Sequence, residues 1–404
     1  MSEKKNSLSR RDFLTATAAG IVGAGIAAMP GGKALAEEKK KAGGELITRK
    51  LGRTGLELPI ISMGALNIDS PGILRAAYDK GVRHIDTASG YHSGRNEEIV
   101  GEIIKKEGIR KDMVVGTKIF VPNQRKGLDP DMVPARMMKY TDDSLERLQM
   151  DYVDIMYIHV AKSAAEINDE AMIEGMKQIK KSGKARFVGV STHENMAEVL
   201  NAVAAGGFYD VVLHTINFTL ADDAEFLKAV KNAHAKGVGL IAMKTQAGGS
   251  LIKDDEEALK TYSEATIASA ALKWALSHEE ITTAIPSYKT FEIMEQDVAV
   301  GYDLALSADE KKFLSEKLET LKTGMGFCRQ CHICSSTCPR GEDIASLMRT
   351  HMYAARYSDF HLARTTIDEI GGISGCVACG TCSARCAHGV DIARNIDDLK
   401  LIYA

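Results

Sequence analysis

From residue 60 to residue 286 the chain repeats one unit, a short apolar run followed by a longer stretch with helical spacing of its apolar positions. The short runs fall at 60–63, 82–86, 113–118, 152–159, 186–191, 211–217, 239–243 and 281–286. Between them, 71–80, 96–107, 131–148, 169–182, 195–205, 222–236 and 265–276 read as helices. Near-continuous apolar strands that alternate with helices belong to parallel sheets covered on both faces. Eight such units favour a closed α/β barrel, (β/α)8 or TIM-type, over an open sheet. A hairpin at 45–59, turning at Gly52 to Gly55, precedes the first unit and is placed to plug the bottom of the barrel. A weak helix at 297–301 and a polar one at 307–322 lead out of it. The barrel domain is expected over 45–323, within a chain of 404 residues that has room for a second, smaller domain.

Several apolar runs end in ionisable or polar side chains, which is unusual unless those ends build a site. Asp86 closes the second run, Tyr91 follows it, Lys118 closes the third and His159 the fourth. In a parallel barrel, active-site groups gather at the carboxyl ends of the strands, so these four converge. A phenol with a reference pKa of about 10 is a poor acid at neutral pH. An adjacent ammonium lowers it, a carboxylate holds the ammonium, and a histidine orients the substrate oxygen. At these residues the chain resembles the aldo-keto reductases, whose Asp, Tyr, Lys and His tetrad matches Asp86, Tyr91, Lys118 and His159, over roughly residues 45 to 300.

That resemblance implies a nicotinamide cofactor, NAD or NADP, and a small carbonyl or hydroxy substrate. Ser191 and Thr192 stand where the family has a Ser-Asn pair for the carboxamide, and Asn217 ends the sixth strand. Ser287 and Lys289 lie in what resembles the phosphate-binding turn, with Lys289 placed to pair with a phosphate. Thr192 departs from the family, and so does Met243, which falls where an aromatic ring usually stacks on the nicotinamide. Ile293 and Asp297 stand where an Arg for the 2′-phosphate and an Asn for adenine are usual, which leaves the choice between NAD and NADP open. His193, His214 and Lys244 also lie near strand ends, but barrel packing explains them equally well and they are assigned no role.

All eight cysteines fall between Cys328 and Cys386. Cys328, Cys331, Cys334 and Cys338, followed by Pro339, have the spacing that binds [4Fe–4S] clusters in bacterial ferredoxins. Cys376, Cys379, Cys382 and Cys386 repeat it, with Ala387 in place of the proline. In the two-cluster arrangement the fourth cysteine of each run serves the other cluster. Cys328, Cys331, Cys334 and Cys386 would then hold one cluster, and Cys376, Cys379, Cys382 and Cys338 the other. Zinc ribbons have no use for the third, closely spaced thiolate. The stretch 344–370 reads as a long, largely helical insert, so 324–404 is expected to be a small, mainly helical ferredoxin-like domain.

Residues 1–36 combine Ser9-Arg10-Arg11-Asp12-Phe13-Leu14, a Gly- and Ala-rich apolar run and a small-residue site at Ala34-Leu35-Ala36. They resemble a twin-arginine signal, followed by a charged linker at 37–44. Export to the periplasm is expected, with no stable membrane span after signal cleavage. The formal net charge of −3 gives no reason to expect nucleic-acid binding. The reading is an exported oxidoreductase with Tyr91 as general acid/base, two [4Fe–4S] clusters and a redox partner protein. Two alternatives stand beside it, an electron-transfer protein with an inactive barrel and a cofactor-sensing binding subunit.

Overall fold

The computed structural model describes residues 44–68, 70–120, 129–246, 256–321, 328–356 and 358–404. The expected signal and most of the linker lie outside them. A two-stranded antiparallel hairpin, β1 (Thr48–Lys50) and β2 (Glu57–Pro59), comes first. Eight parallel strands follow in chain order: β3 (Met63–Gly64), β4 (His84–Asp86), β5 (Val114–Ile119), β6 (Val153–Ile158), β7 (Ala185–Thr192), β8 (Val211–Thr215), β9 (Gly239–Met243) and β10 (Thr283–Ala284). Parallel bridges Ile61–Ala284 and Gly64–Ser287 join the last strand to the first and close the barrel.

Side-chain alternation explains why the strands are apolar on both faces. Ile155, Tyr157, Val211, Leu213 and Ile241 point inward and pack with Leu51 and Leu58 of the hairpin. Met156, Ile158, Val188, Val190, Val212 and Leu240 point outward into the helical layer. The hairpin is the expected bottom plug. Its turn needs glycine at residue 52, where φ is +48° and a Cβ would lie 2.4 Å from the Gly239 nitrogen. Arg53 completes the seal by donating to the Gly207 and Tyr209 carbonyls.

One helical expectation changes. The weak helix at 297–301 begins at Phe291 and runs to Val300, because the Thr290 hydroxyl accepts from the Ile293 N–H and caps it. The expected helical insert at 344–370 consists of Ile344–His351, a π-helical turn Met352–Arg356 and Phe360–Glu369. Ser358 is left-handed there, and Asp359 caps the second helix by accepting from Leu362. The first of these helices packs on both the second and the last helix, Ile392–Tyr403. Ile344, Leu347, Met348, Ile367, Ile396 and Leu399 form this domain's own core with the cysteines around it. Among the described residues, no helix is long and apolar enough to cross a membrane.

The domain sits on the carboxyl-end mouth of the barrel, where a group of charges fastens it. Glu194, just past β7 and fully buried, pairs with Arg349 and takes a 2.9 Å contact from His332 Nε2. Lys162 reaches Asp343 at 3.3 Å, and Arg329 reaches Asp222 at 2.9 Å. His92 and His361 stack with ring centroids 5.6 Å apart.

Candidate active site and cluster-binding cysteines

The four tetrad residues converge at the mouth. Lys118 Nζ pairs with Asp86 Oδ1, donates to the Thr87 carbonyl at 2.8 Å and lies 3.3 Å from the Tyr91 hydroxyl. Tyr91 stands edge-on to His159, with ring centroids 5.9 Å apart. Local backbone geometry aims these groups. Val160, immediately after His159, has φ of +58°, an outlier for a β-branched residue, and its N–H is held by Ser191 Oγ at 3.1 Å. His92 and Ser93, left-handed as well, turn the chain sharply behind Tyr91.

Burial governs the electrostatics. It pushes the Asp86 carboxyl up against the pull of Lys118. It disfavours the Lys118 ammonium too, but Asp86 and Tyr91 outweigh that and raise its pKa, so the lysine is charged. Sequence reasoning had the lysine lowering the phenol. In the fold, burial outweighs the ammonium and the Tyr91 pKa lies above its ordinary value, so the group is held protonated. His159 is pushed well below its usual range by burial and then by Lys118, Arg349 and Lys244, which leaves a neutral ring whose Nδ1 has no partner.

The expected cofactor residues lie around the rim. Ser191 accepts from Val160 and keeps its own O–H to donate. Asn217 Oδ1 accepts from the N–H and hydroxyl of Thr219, while Nδ2 gives one hydrogen to the Lys244 carbonyl and keeps another. Thr192 is turned into the backbone, its hydroxyl 2.8 Å from both the Ala161 and Glu194 carbonyls. Ser287 accepts from the Asn67 N–H, and Lys289 is exposed. The donors left on Ser191 and Asn217, with Lys289 at the last strand's end, fit a nicotinamide at one side of the mouth and a phosphate at the other. Met243 is half-buried beside the inward-facing cluster. Asp297 is buried, pushed up to about 7 by burial, and accepts from Gln246 Nε2 at 2.9 Å.

Sequence reasoning missed the contribution of the second domain. Arg349 and Tyr353 come down from its first helix and the π-turn, with Tyr353 3.1 Å from Lys244 Nζ. Lys244 and His193, left without a role at first, line the same space. Nothing in the linear pattern of 344–356 signals that it covers a barrel.

All eight cysteines are free thiols. Burial pushes Cys328 up to about 12 and Cys334 to about 11, each raised further by Cys386. Cys376 is pushed up to about 11, with Cys382 and Cys338 adding to it. Cys328 and Cys334 thus lie near Cys386, and Cys376 near Cys382 and Cys338, the grouping that crossed ligation would use. Cys338, Cys376, Cys379 and Cys382 line one pocket. Gln330 Nε2 donates to Cys328 at 3.0 Å and the His388 N–H to Cys386 at 3.3 Å. Such N–H donors to sulfur are among the groups that tune iron–sulfur clusters. Among the described residues, no three His, Cys, Asp or Glu side chains close around a single ion.

A phenol, ammonium, carboxylate and imidazole at the mouth of a parallel barrel, roofed by a domain of clustered cysteines, define an oxidoreductase. Residues 68–264 match the aldo/keto reductase family, and residues 327–391 match the 4Fe-4S dicluster domain. The chain is an aldo-keto reductase-like enzyme that carries a two-cluster iron–sulfur domain. It is 28% identical to L-galactose dehydrogenase of Arabidopsis thaliana over 300 residues, covering 66% of this chain and 92% of the relative. It is 27% identical to methylglyoxal reductase of Escherichia coli O157:H7 over 265 residues, covering 64% and 93%. An aldo-keto reductase of Bacillus halodurans in its holo form superposes with a TM-score of 0.56 at 20% identity, covering 67% of this chain and 96% of the other. One from Klebsiella pneumoniae in complex with NADPH gives 0.52 at 24%, covering 67% and 95%.

Proposed function

We propose that the barrel interconverts a small carbonyl compound and its alcohol, with Tyr91 moving the proton. The observation that carries this is the placement of Lys118 Nζ between Asp86 and the Tyr91 hydroxyl. In the reducing direction Tyr91 gives its proton to the carbonyl oxygen, and the fixed ammonium stabilises the phenolate left behind. Neutral His159 orients the same oxygen. Asp86 does not touch the substrate and acts through Lys118. A bound nicotinamide supplies or takes the hydride, while the iron–sulfur clusters carry single electrons. Ser191 and Asn217 would hold the carboxamide, and Ser287 and Lys289 a phosphate. The NADPH of the Klebsiella neighbour supports a nicotinamide here. The names of the two relatives support a sugar or another small carbonyl compound as substrate.

The test is Tyr91→Phe. Turnover of a carbonyl substrate falls by roughly 10² to 10⁴, the range of a lost general acid, with cluster absorbance unchanged. Undiminished turnover rejects the assignment and leaves the barrel as a carrier for the electron-transfer domain. We propose further that the chain is exported folded by the twin-arginine route. Replacing Arg10 and Arg11 together by Lys should hold precursor in the cytoplasm, and normal periplasmic accumulation would reject that route.

A further inference from the structure

A pocket of about 720 Å³, counting the solvent-open part, lies between the barrel mouth and the cluster domain. Its barrel wall includes Asn217, Thr215, His193 and Lys244, and its opposite wall includes Cys328 and Met352. It therefore begins at a residue assigned to the nicotinamide and ends at a cysteine assigned to a cluster.

The polar groups at the barrel end point to a ligand. His193 is 7% exposed, and neither ring nitrogen has a hydrogen-bond partner. Burial, and then the charge of Lys244, push its pKa well below the usual range, so the ring is neutral and offers one donor and one acceptor. Thr215 Oγ1 is also buried without a partner. Buried polar atoms left this way cost free energy unless a ligand or water answers them. Lys244, half-buried and left-handed at φ +53°, has the Tyr353 hydroxyl at 3.1 Å and no carboxylate ion pair among the described residues. The remainder of the lining mixes the apolar side chains of Met196, Leu220, Met348 and Val390 with polar ones that include Arg329 and Arg349. A flat, mostly apolar body with one edge of alternating donors and acceptors, and a site that gains negative charge on reduction, matches this lining.

We propose that the cavity binds a flavin, its pyrimidine edge on His193 and Thr215, Lys244 stabilising its reduced form, and its ring system facing Cys328. The proposal rests on the nicotinamide and cluster assignments above and resolves a mismatch between them, because nicotinamide exchanges two electrons at once and each cluster takes one. In alcohol oxidation Tyr91 first gives its own proton to solvent beside the Lys118 ammonium; the phenolate then takes the hydroxyl proton and NAD(P)+ takes the hydride. The resulting NAD(P)H passes that hydride to the flavin, which becomes the reduced flavin anion beside Lys244. The anion then releases one proton and gives up two electrons singly, one to each four-iron cluster. A one-electron acceptor protein reoxidises the clusters. Carbonyl reduction runs the same steps in reverse.

The test uses the full, cluster-loaded chain purified without oxygen, with any retained flavin identified after acid extraction and the stripped protein titrated with FMN. Expected is retained flavin, or saturable 1:1 quenching of FMN fluorescence that saturating NADP+ does not displace. His193→Leu on the barrel side and Met352→Trp on the cluster side should each weaken FMN binding at least tenfold, with iron and sulfide content unchanged. Tyr91→Phe should bind FMN like the parent, so a failed general-acid assignment leaves this result unaffected. Absence of both retained flavin and saturable binding overturns the proposal. So does displacement by NADP+, or binding indifferent to both cavity variants.

Discussion

Replacing Glu194 by Leu removes the one carboxylate that sits, fully buried, between Arg349, His332 and Lys162. Arg349 is 2% exposed, so loss of its partner leaves a guanidinium that water does not reach. Its other carboxylate, Glu369, stands 4.0 Å away, and burial pushes that group up to about 7. It is therefore a poor substitute. Breaking a buried pair by removing one member costs roughly 3–5 kcal/mol. The loss falls on the seating of the cluster domain, because Glu194 belongs to the barrel and Arg349 and His332 to the domain. Urea unfolding followed at the clusters' visible absorbance should move to lower denaturant by an amount equivalent to about 3–5 kcal/mol, while the barrel transition, followed by circular dichroism, changes little. Adding Arg349→Met removes the stranded charge and should restore most of the loss. A Glu194→Leu penalty below about 1 kcal/mol, the level of an exposed pair, would refute the reasoning.

Asp297 has a folded pKa near 7, raised by burial above an ordinary carboxyl. Between the two values the folded chain binds the extra proton, so this group's contribution to stability falls as pH rises towards 7 and levels off above it. Asp297→Asn should therefore raise the melting temperature at pH 8 and leave it nearly unchanged at pH 4; equal shifts at both would contradict the burial argument. A Cβ at Gly116 would lie 3.1 Å from the Tyr157 ring and 3.2 Å from Asp86 Oδ2. Gly116→Ala should destabilise the barrel by about 1–3 kcal/mol in urea titration and lower kcat more than it raises KM, through displacement of Asp86. For the cysteines, metal analysis should return about eight irons with matching acid-labile sulfide. Cys386→Ser and Cys328→Ser should perturb the same electron paramagnetic resonance signal and Cys338→Ser the other, whereas Cys386→Ser grouping with Cys376→Ser would reject crossed ligation.

The barrel was legible because its period is written in apolar spacing. Each of the eight runs contains its strand or meets it within a residue at each end, and Asp86, Lys118 and His159 fall at strand ends as the alternation required. Run lengths were less informative. The first and last runs pair over only two residues each, since apolar character marks burial and continues past the hydrogen-bonded ladder. The start of the helix at Phe291 was obscured because the Thr290 cap is one side chain against a stretch with no clear face. The direction of the Tyr91 shift was misjudged for a different reason: the neighbouring charge is visible from the motif, but the depth of the site depends on what covers it. That cover, Arg349 and Tyr353, is held by Glu194 across more than 150 positions of chain, a relation that no local pattern encodes.

Leu51 and Leu58 stopper the barrel from below, both with no exposed surface, while the cluster domain stands over the opposite end. A stoppered tube has one doorway. Incoming substrate and departing product must pass the same rim, in turn, in the shadow of the domain that drains the electrons. Crowding at that threshold, through slow product departure or a bulky docked acceptor, would throttle turnover with every catalytic group still in place.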